Sequence, residues 1–374
     1  MVMNQHQGSE WQIGLPWLAQ PLKNALVTQR SHALLIQGPR GVGQFEFAIA
    51  MAQAWLCEAP DAALQAADLR PCGICAACKL VQAHSHPDML VLLPEALREP
   101  LGWAGGGAGD DEGESAASTA VATTTSTTTT ASSDKAGKRK ASKDIRIDEV
   151  RLAIAFAQIT SARGRGKVVV LHPVERMNMA SSNALLKTLE EPAGNSRLLL
   201  STAAPEMLLP TIRSRCQVVP LALPEPAVAA QWLTAQGVDQ ADVLLAATGG
   251  QPQEALLWAG EGISAAVWAG LPKQLARGDV GNLAAWPLPR VIDTLQKLCH
   301  DMQRLAAGHG PRYFAVSALT APVPLTALNP WAVELQAQVR HAEHPWNVNL
   351  MVEALVARAR LALTASASKA LSVH

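Results

Sequence analysis

Three of the six cysteines in this chain form the tight array C-x-x-C-x-x-C, and a fourth lies upstream. The candidate metal ligands are Cys57, Cys72, Cys75 and Cys78. Four thiolates suit a structural Zn²⁺ ion, whose closed tetrahedral shell leaves no position for a substrate. His84 or His86 could replace Cys57 as the fourth ligand, and reduced cysteines packed in a loop are the alternative without a metal. An iron–sulfur cluster is disfavoured, because no further cysteine follows Cys78 closely.

A glycine-rich loop carries a second chemical pattern, in the stretch LLIQGPRGVGQF. Gly38 and Gly43 fall on the two glycines of the phosphate-binding template G-x-x-x-x-G-K-[S/T]. Gln44 and Phe45 stand where the template has the lysine that neutralises phosphates and the hydroxyl that holds Mg²⁺. Backbone N–H groups around Gly38, Gly41 and Gly43 could still bind an anion weakly. We therefore expect a degenerate nucleotide loop that binds neither ATP nor Mg²⁺ productively.

The second half of an ATP site, an acidic pair at the end of a later strand, is also missing from the sequence. The apolar run KVVVL ends in His172 and Pro173, which supply neither a Mg²⁺ ligand nor a group that orients water. Two independent replacements of this kind indicate a loss of nucleotide chemistry rather than chance. The isolated chain is therefore expected not to hydrolyse ATP.

The cysteine array, the glycine-rich loop and His172 lie among five apolar runs rich in β-branched residues. These runs alternate with helix-like segments. They lie at 32–38, 88–94, 167–173, 197–203 and 216–223. Such runs are typical of strands buried on both faces of a parallel sheet, so the predicted fold class is α/β. After residue 223 the segments have helical spacing and end at glycines. This predicts a small helical domain followed by a larger one from about 281.

The composition is that of a soluble protein with room for two or three domains. The chain has 374 residues, of which 49% are hydrophobic and 17% charged, and its formal net charge is zero. No run approaches the ~18 apolar residues that span a bilayer, and no secretory signal is visible. We expect a cytoplasmic protein without a general attraction to nucleic acid, so that any DNA contact is local or shared with partners.

The segment 101–143 interrupts the α/β pattern with Gly, Ser and Thr and few large apolar side chains. Such a composition cannot bury enough surface to order itself, so we interpret the segment as a flexible insertion in a loop of the α/β domain. Its basic end, 135–143, could contact DNA, although runs of this kind are more often solvated linkers.

Two further stretches are more specific, SSNALLKTLEEP at 181–192 and LLLSTAAPEMLLPTIRSRCQVVPL after it. Together with the cysteine array, HSHPD at 84–88 and HALLIQGPRGVGQ, they resemble bacterial AAA+ clamp-loader subunits. Among these, the non-ATPase delta-prime subunits of DNA polymerase III match best. The resemblance covers most of residues 1–223, and the helical remainder adds little specific sequence.

The resemblance implies an AAA+ α/β domain at 1–223 that contains the zinc module at about 57–78. A helical lid at 224–280 and a helical collar at 281–374 would follow, with the collar joining five subunits. It also implies a hetero-pentamer with ATP-binding subunits of the tau/gamma type and a delta subunit, within the DNA-directed DNA polymerase holoenzyme. That assembly loads a sliding clamp onto primer–template DNA in replication.

The motif Ser214-Arg215-Cys216 resembles the clamp-loader motif whose arginine acts on a neighbouring subunit's ATP. The resemblance implies that Arg215 is an arginine finger acting in trans, with Arg213 as the adjacent alternative. It also places Gln253 where ATP-binding relatives have a nucleotide-sensing arginine. The spacing from Cys57 to Cys72 is longer than is usual in the family.

Glu190 and Glu191 lie at the end of a helix predicted over 183–191, for which Ser181 or Ser182 is the expected N-cap. The helix macrodipole disfavours acids at a C-terminus by ~0.3–1 kcal/mol each. The two glutamates therefore indicate either a role beyond helix stability or simply a solvated acidic end.

Two other functions stay open on the sequence alone. A stand-alone divergent AAA+ ATPase would bind ATP as an isolated chain. A zinc-dependent DNA-binding protein would bind duplex DNA with a steep salt dependence. The neutral net charge disfavours the second of these.

Overall fold

The computed structural model of the chain describes residues 6–7, 10–11, 14–60, 71–103, 141–340 and 347–365. The chain separates into two compact units. The first comprises Met1–Gly38 and Gly43–Leu221, and the second comprises Pro39–Val42 and Ala222–His374. Most of the predicted insertion at 101–143 lies outside the described residues. In the part of the chain that is described, no helix combines the length and apolar character needed to span a membrane.

The first unit is built around a five-stranded parallel sheet, which confirms the α/β prediction. A short antiparallel pair, β1 (His6–Gln7) and β2 (Glu10–Trp11), precedes it. The strands of the main sheet are β3 (Ala33–Gln37), β4 (Met89–Leu92), β5 (Val168–Leu171), β6 (Arg197–Thr202) and β7 (Gln217–Pro220). Their order is β4-β5-β6-β3-β7, and each predicted apolar run contains one strand. The middle strands β3, β5 and β6 are buried almost throughout, as continuous apolar runs indicate.

Seven α-helices in the described part of the first unit connect and cover these strands. They are α1 (Ala19–Thr28), α2 (Gln44–Leu56), α3 (Ala76–Gln82), α4 (Glu95–Arg98), α5 (Ile147–Gln158), α6 (Met179–Glu190) and α7 (Pro210–Arg213). Apolar side chains of β3, β5 and β6 share one core with α5 and α6, to which Val150 and Leu185 belong. This core fixes the ends of the strands and helices that carry the candidate site residues.

Helix α6 begins earlier than the sequence indicated. Its first residue is Met179, and the side chain of Asn178 accepts a hydrogen bond from the Ser181 N–H at 2.8 Å. Asn178 is therefore the N-cap, and the prediction of Ser181 or Ser182 was wrong, since both lie buried inside the helix. Asn and Ser cap helices about equally well, so propensity could not choose between them.

The second unit consists of helices around one hydrophobic core. Its α-helices in the described residues are α8 (Pro226–Ala235), α9 (Ala241–Ala247), α10 (Pro252–Gly260), α11 (Ala265–Arg277), α12 (Leu288–Ala306), α13 (Leu325–Val339) and α14 (Val348–Leu363). The core joins residues from before and after 281, and the rings of Trp268 and Phe314 stack in it at 4.4 Å. The division into a lid at 224–280 and a collar at 281–374 stays a prediction, and it falls within this one compact unit.

The two ends of the predicted insertion are tied together in the first unit. The N–H of Ala96 donates to the carbonyl oxygen of Ser142 at 3.0 Å. The N–H of Ser142 donates in turn to Glu95 Oε2 at 3.1 Å. The residues that follow β4 and those that precede α5 are therefore hydrogen-bonded to each other in the first unit.

Asp88, the last residue of the HSHPD stretch, holds the loop between α5 and β5. Its buried carboxylate accepts hydrogen bonds from the N–H groups of Ala162 and Arg163 at 2.7 and 2.8 Å. The same carboxylate accepts from Ser161 Oγ and pairs with Lys167 Nζ at 3.2 Å. Burial alone would raise the pKa of Asp88, but these hydrogen bonds outweigh it and hold the pKa below its usual value.

Replacing Asp88 with Asn is expected to lower the free energy of unfolding by about 3–5 kcal/mol, because Lys167 would stay buried without its counter-charge. Chemical denaturation measures the difference. Asp148→Asn, which removes an exposed ion pair with Arg151, is the control and should cost only ~0–1 kcal/mol.

The same carboxylate predicts a pH dependence. Because its pKa is lowered on folding, its stabilisation is present above the unfolded-state pKa and is lost as the pH falls through the folded-state pKa. Equal stability of D88N and wild type at neutral pH would contradict the role given to Asp88.

Candidate functional site

The glycine-rich loop connects the end of β3 to the start of α2, which is the layout of a phosphate-binding loop. Gly41 and Gly43 have φ angles of 73° and 101°, which residues with a side chain rarely adopt. A Cβ atom at Gly43 would lie 2.3 Å from Leu15 Cδ1, and one at Gly38 would lie 2.6 Å from the Leu221 carbonyl oxygen. The shape of the loop therefore depends on glycine at these three positions.

Gln44, at the template's lysine position, bonds to the loop itself. Its side chain is 5% exposed, and Nε2 donates a hydrogen bond to the Gly38 carbonyl oxygen at 2.7 Å. A lysine at this position would direct a charged ammonium group at bound phosphates. Gln44 carries no charge and satisfies a carbonyl group of the loop.

Phe45 and His172, which stand at the two positions related to Mg²⁺ binding, are in contact. Their ring centroids are 5.2 Å apart, and the Trp103 ring meets Phe45 edge-on at 6.1 Å. Phe45 is 6% exposed, so the residue at the template's Ser/Thr position belongs to an apolar cluster in this chain. Sequence reasoning identified both residues separately, and the fold brings them together.

His172 is held in its neutral form. Burial lowers its pKa to about 4. The Ser201 hydroxyl lies 2.8 Å from His172 Nδ1 and 3.3 Å from the Leu171 carbonyl oxygen, so the ring has a hydrogen-bond partner inside the fold. A neutral ring followed by Pro173 brings no negative charge to this edge of the sheet.

Gln253, which the resemblance predicts to occupy the position of a nucleotide-sensing arginine, lies in the first turn of α10 in the second unit. Its backbone N–H donates to the Gly41 carbonyl oxygen at 3.2 Å. The helix start thus contacts the loop through the main chain, and the side chain at this position carries no charge.

The four predicted zinc ligands come together in the first unit. Their Sγ atoms all lie within 4.8 Å of one another. The Sγ atoms of Cys72 and Cys78 are 3.9 Å apart, and those of Cys57 and Cys75 are 4.0 Å apart. Four sulfurs at ~2.3 Å from a central zinc ion are about 3.8 Å from one another, so the cluster has the dimensions of a tetrahedral site.

The backbone around these cysteines directs N–H groups at sulfur. Cys57 follows the last residue of α2, and Cys75 is the N-cap of α3, where its Sγ accepts the Cys78 N–H at 3.4 Å. The Sγ of Cys72 accepts the Cys75 N–H at 3.4 Å. A hydrogen bond from the Cys78 thiol lowers the pKa of Cys57, and the same contact raises the pKa of Cys78, so without a metal the cluster favours one thiolate that is stabilised by a neighbouring thiol.

Neither histidine that could have replaced Cys57 lies in this cluster. His84 stacks on Trp103 with ring centroids 3.9 Å apart, and His86 Nδ1 accepts the Asp88 N–H at 3.0 Å. Across the described ranges, the group whose atoms are close enough to share a metal ion consists of the four cysteines. Cys57 therefore stays the candidate for the fourth ligand.

Arg215 lies between α7 and β7, and its guanidinium is held by its own chain. Nε donates to Glu190 Oε1 at 2.5 Å, and Nη2 contacts the same oxygen. Nη1 donates to the Thr211 carbonyl oxygen at 3.0 Å. The next residue, Cys216, is buried, and burial raises the pKa of its thiol to about 12, so it serves packing.

Sequence reasoning missed the pair between Glu190 and Arg215. The signal that could have found it is the position of Glu190 at the C-terminus of α6, where the macrodipole disfavours an acid and a cation compensates it. Arg213, the alternative to Arg215 in the sequence-based prediction, is exposed and makes no ion pair with any residue that the structure describes.

Comparison with known proteins connects these features to replication. A family model described as "DNA polymerase III, delta subunit" matches residues 16–225. The chain is 34% identical over 277 residues to DNA polymerase III subunit delta' of Pseudomonas aeruginosa, covering 71% of this chain and 69% of that protein. It is 30% identical over 248 residues to the Escherichia coli protein of the same name, covering 64% of this chain and 59% of the relative. An alignment with Escherichia coli DNA polymerase III subunit tau has 30% identity over 205 residues and covers 54% of this chain and 24% of that protein.

We expect the imidazole of His172 to titrate near pH 4 instead of near its usual pKa of ~6.5. Because the pKa is depressed on folding, protonation favours the unfolded chain, and stability is lost as the pH falls below ~6.5 towards the folded-state pKa. NMR titration of the imidazole measures the pKa directly.

Denaturation at about pH 7 and about pH 5 measures the linked stability, and the loss should be smaller in His172→Gln than in wild type by roughly 1–2 kcal/mol. An imidazole that titrates at its ordinary value would contradict the buried, neutral state of His172.

Proposed function

Because this chain belongs to the family of DNA polymerase III delta-prime subunits, we propose that it is a clamp-loader subunit that does not hydrolyse ATP itself. It joins ATP-binding subunits of the tau/gamma type and a delta subunit in an AAA+ hetero-pentamer. This assembly loads a sliding clamp onto primed DNA in the cytoplasm, as part of the DNA-directed DNA polymerase holoenzyme. The similarity to a tau subunit supports the partnership with ATP-binding relatives.

One observation carries this proposal. Phe45 and His172, at the two positions related to Mg²⁺ binding, pack against each other, and Gln44, at the position of the phosphate-binding lysine, donates a hydrogen bond to the Gly38 carbonyl oxygen. The same chain keeps a partly exposed guanidinium at Arg215. A subunit with this combination is suited to complete a neighbour's site instead of one of its own.

The proposed chemistry of Arg215 is electrostatic. A guanidinium placed at a neighbouring subunit's ATP stabilises the negative charge that spreads over the γ-phosphoryl group in the transition state. Fingers of this kind contribute about 10³–10⁵ to the rate in GTPases. In this proposal, the step requires the guanidinium of Arg215 to lie at the subunit interface. The glycine-rich loop and Gln253 of this chain take no part in it.

The remaining parts of the chain have architectural roles in the proposal. The predicted collar at 281–374 joins the subunits, and the predicted lid at 224–280 carries an uncharged residue where an ATP-binding relative senses nucleotide. The four cysteines bind a structural Zn²⁺, which cross-links the end of α2 to α3. The donor set supports this assignment, since four sulfurs within 4.8 Å of one another can fill the four positions of a tetrahedral zinc ion.

The first test is DNA-stimulated ATP hydrolysis by a reconstituted clamp loader that contains wild-type chain, Arg215→Ala or Arg213→Ala. We expect R215A to lower kcat by at least about 10²-fold at the site it completes, because the transition-state charge loses its cation. R213A should retain wild-type turnover, since Arg213 makes none of the contacts of Arg215.

Assembly of each variant is checked by gel filtration before rates are compared. Unchanged turnover with R215A in an intact assembly would remove the finger and leave an architectural role. Failure of the wild-type chain to assemble, together with ATP binding by the isolated chain, would favour a stand-alone ATPase.

Zinc content tests the cysteine cluster. The purified chain is expected to hold one Zn²⁺, and Cys75→Ser should lose it, because three thiolates bind zinc less tightly than four. Cys299→Ser, at a buried cysteine of the second unit, is the control and should keep the metal.

Chelation should lower the thermal stability of the wild-type chain, measured by calorimetry. A fully folded chain without zinc, even when the metal is supplied, would contradict the structural role. Loss of tight duplex binding on chelation would support the zinc-dependent DNA-binding alternative instead.

A further inference from the structure

One of the two glutamates at the end of α6 orients the guanidinium of Arg215. We propose that Glu190 is a positioning residue for Arg215, holding one edge of the guanidinium so that its other N–H groups face a neighbouring subunit's ATP. The inference rests on the proposed function of Arg215 as a finger in trans. The proposal gives Glu190 a role in the rate of ATP hydrolysis that is separate from helix stability and from ATP binding.

The contacts divide the guanidinium into an occupied edge and an open end. Glu190 Oε1 accepts from Nε at 2.5 Å and also contacts Nη2, so it occupies the edge formed by these two nitrogens. Nη1 donates to the Thr211 carbonyl oxygen at 3.0 Å and lies 3.4 Å from Ser214 Oγ. A guanidinium has five N–H groups, so one N–H of Nη2 has no acceptor among the described residues. This N–H and the weakly held one of Nη1 can bind two phosphoryl oxygens.

The pairing is selective between two adjacent acids. Glu190 is the last residue of α6 and Glu191 is its C-cap, so both place a carboxylate at the same helix end. The side chain of Glu191 is exposed and makes no ion pair within the described ranges. The macrodipole disfavours both acids equally, and the cation compensates one of them. The chain therefore provides a matched control one residue away from the proposed positioning group.

The exposure of the pair argues against a mainly stabilising role. The side chains of Arg215 and Glu190 are 31% and 48% exposed, and ion pairs of this kind contribute little to the free energy of unfolding. The pair does restrict the rotamers of a long, flexible side chain. A guanidinium that is already ordered loses less conformational entropy when it contacts the transition state. The pair is therefore expected to raise kcat.

The experiment compares reconstituted clamp loaders that contain wild type, Glu190→Ala, Glu190→Gln or Glu191→Ala. We expect E190A to lower kcat about threefold to tenfold with an unchanged KM for ATP, because ATP is bound by the neighbour and one side chain loses its orientation. E190Q keeps an acceptor oxygen without the charge and should fall between E190A and wild type. E191A should match wild type, and all four chains should assemble equally.

A double-mutant cycle separates positioning from a general structural effect. In an Arg215→Ala background, E190A should cause no further loss of kcat, because the group that it positions is gone. An equal loss in both backgrounds would show that Glu190 acts independently of Arg215 and would overturn the inference. An unchanged kcat in E190A would also overturn it, and so would an increase, which would mark Glu190 as a competitor for the finger.

The two proposals fail in distinguishable ways. If R215A leaves turnover unchanged in an intact assembly, the finger is wrong and the positioning role falls with it. If R215A lowers turnover and E190A does not, the finger stands and only the role of Glu190 is wrong.

Discussion

Hydrogen bonds between five parallel strands place the carboxyl ends of all the strands at one edge of the sheet and their amino ends at the opposite edge. The glycine-rich loop follows β3 and His172 follows β5, so both lie at the carboxyl edge, where α/β proteins bind their ligands. Asp88 directly precedes β4 and Arg215 precedes β7 by two positions, so both lie at the amino edge. The direction of the strands therefore places the loop that resembles an ATP site at one edge of the sheet and Arg215, which is proposed to act on a neighbouring subunit, at the other.

The two edges of the sheet are held by separate sets of contacts. At the carboxyl edge, Gln44 hydrogen-bonds to Gly38, and Phe45 packs on His172. The amide of Gln44 and the rings of Phe45 and His172 thus have partners within the protein. At the amino edge, the fork of Arg215 is supported by Glu190 and by the turn at Thr211, which do not depend on the loop.

Local patterns predicted most of the first unit, because buried parallel strands are continuous apolar runs and metal-binding cysteines have recognisable spacing. The sequence also identified Gln44, Phe45, His172 and Arg215 one by one. It could not predict that Phe45 meets His172 or that Glu190 pairs with Arg215, since both contacts depend on how separate strands and helices pack. The N-cap of α6 was missed for a different reason, because Asn178 and Ser181 have nearly equal capping propensities.

The hydrogen bond between Ala96 and Ser142 bears on how far the length of the chain between them can change. The N–H of Ala96 donates to the carbonyl oxygen of Ser142 at 3.0 Å, so the first unit holds these two residues next to each other. The entropy of closing a flexible loop grows slowly, by ~0.6 kcal/mol for each doubling of length. Changes in the number of residues between Trp103 and Ser142 should therefore cost little free energy, provided that Trp103, which packs on Phe45 and His84, is kept. The same junction is a natural attachment site for a fluorescent reporter, since both of its ends are already held side by side.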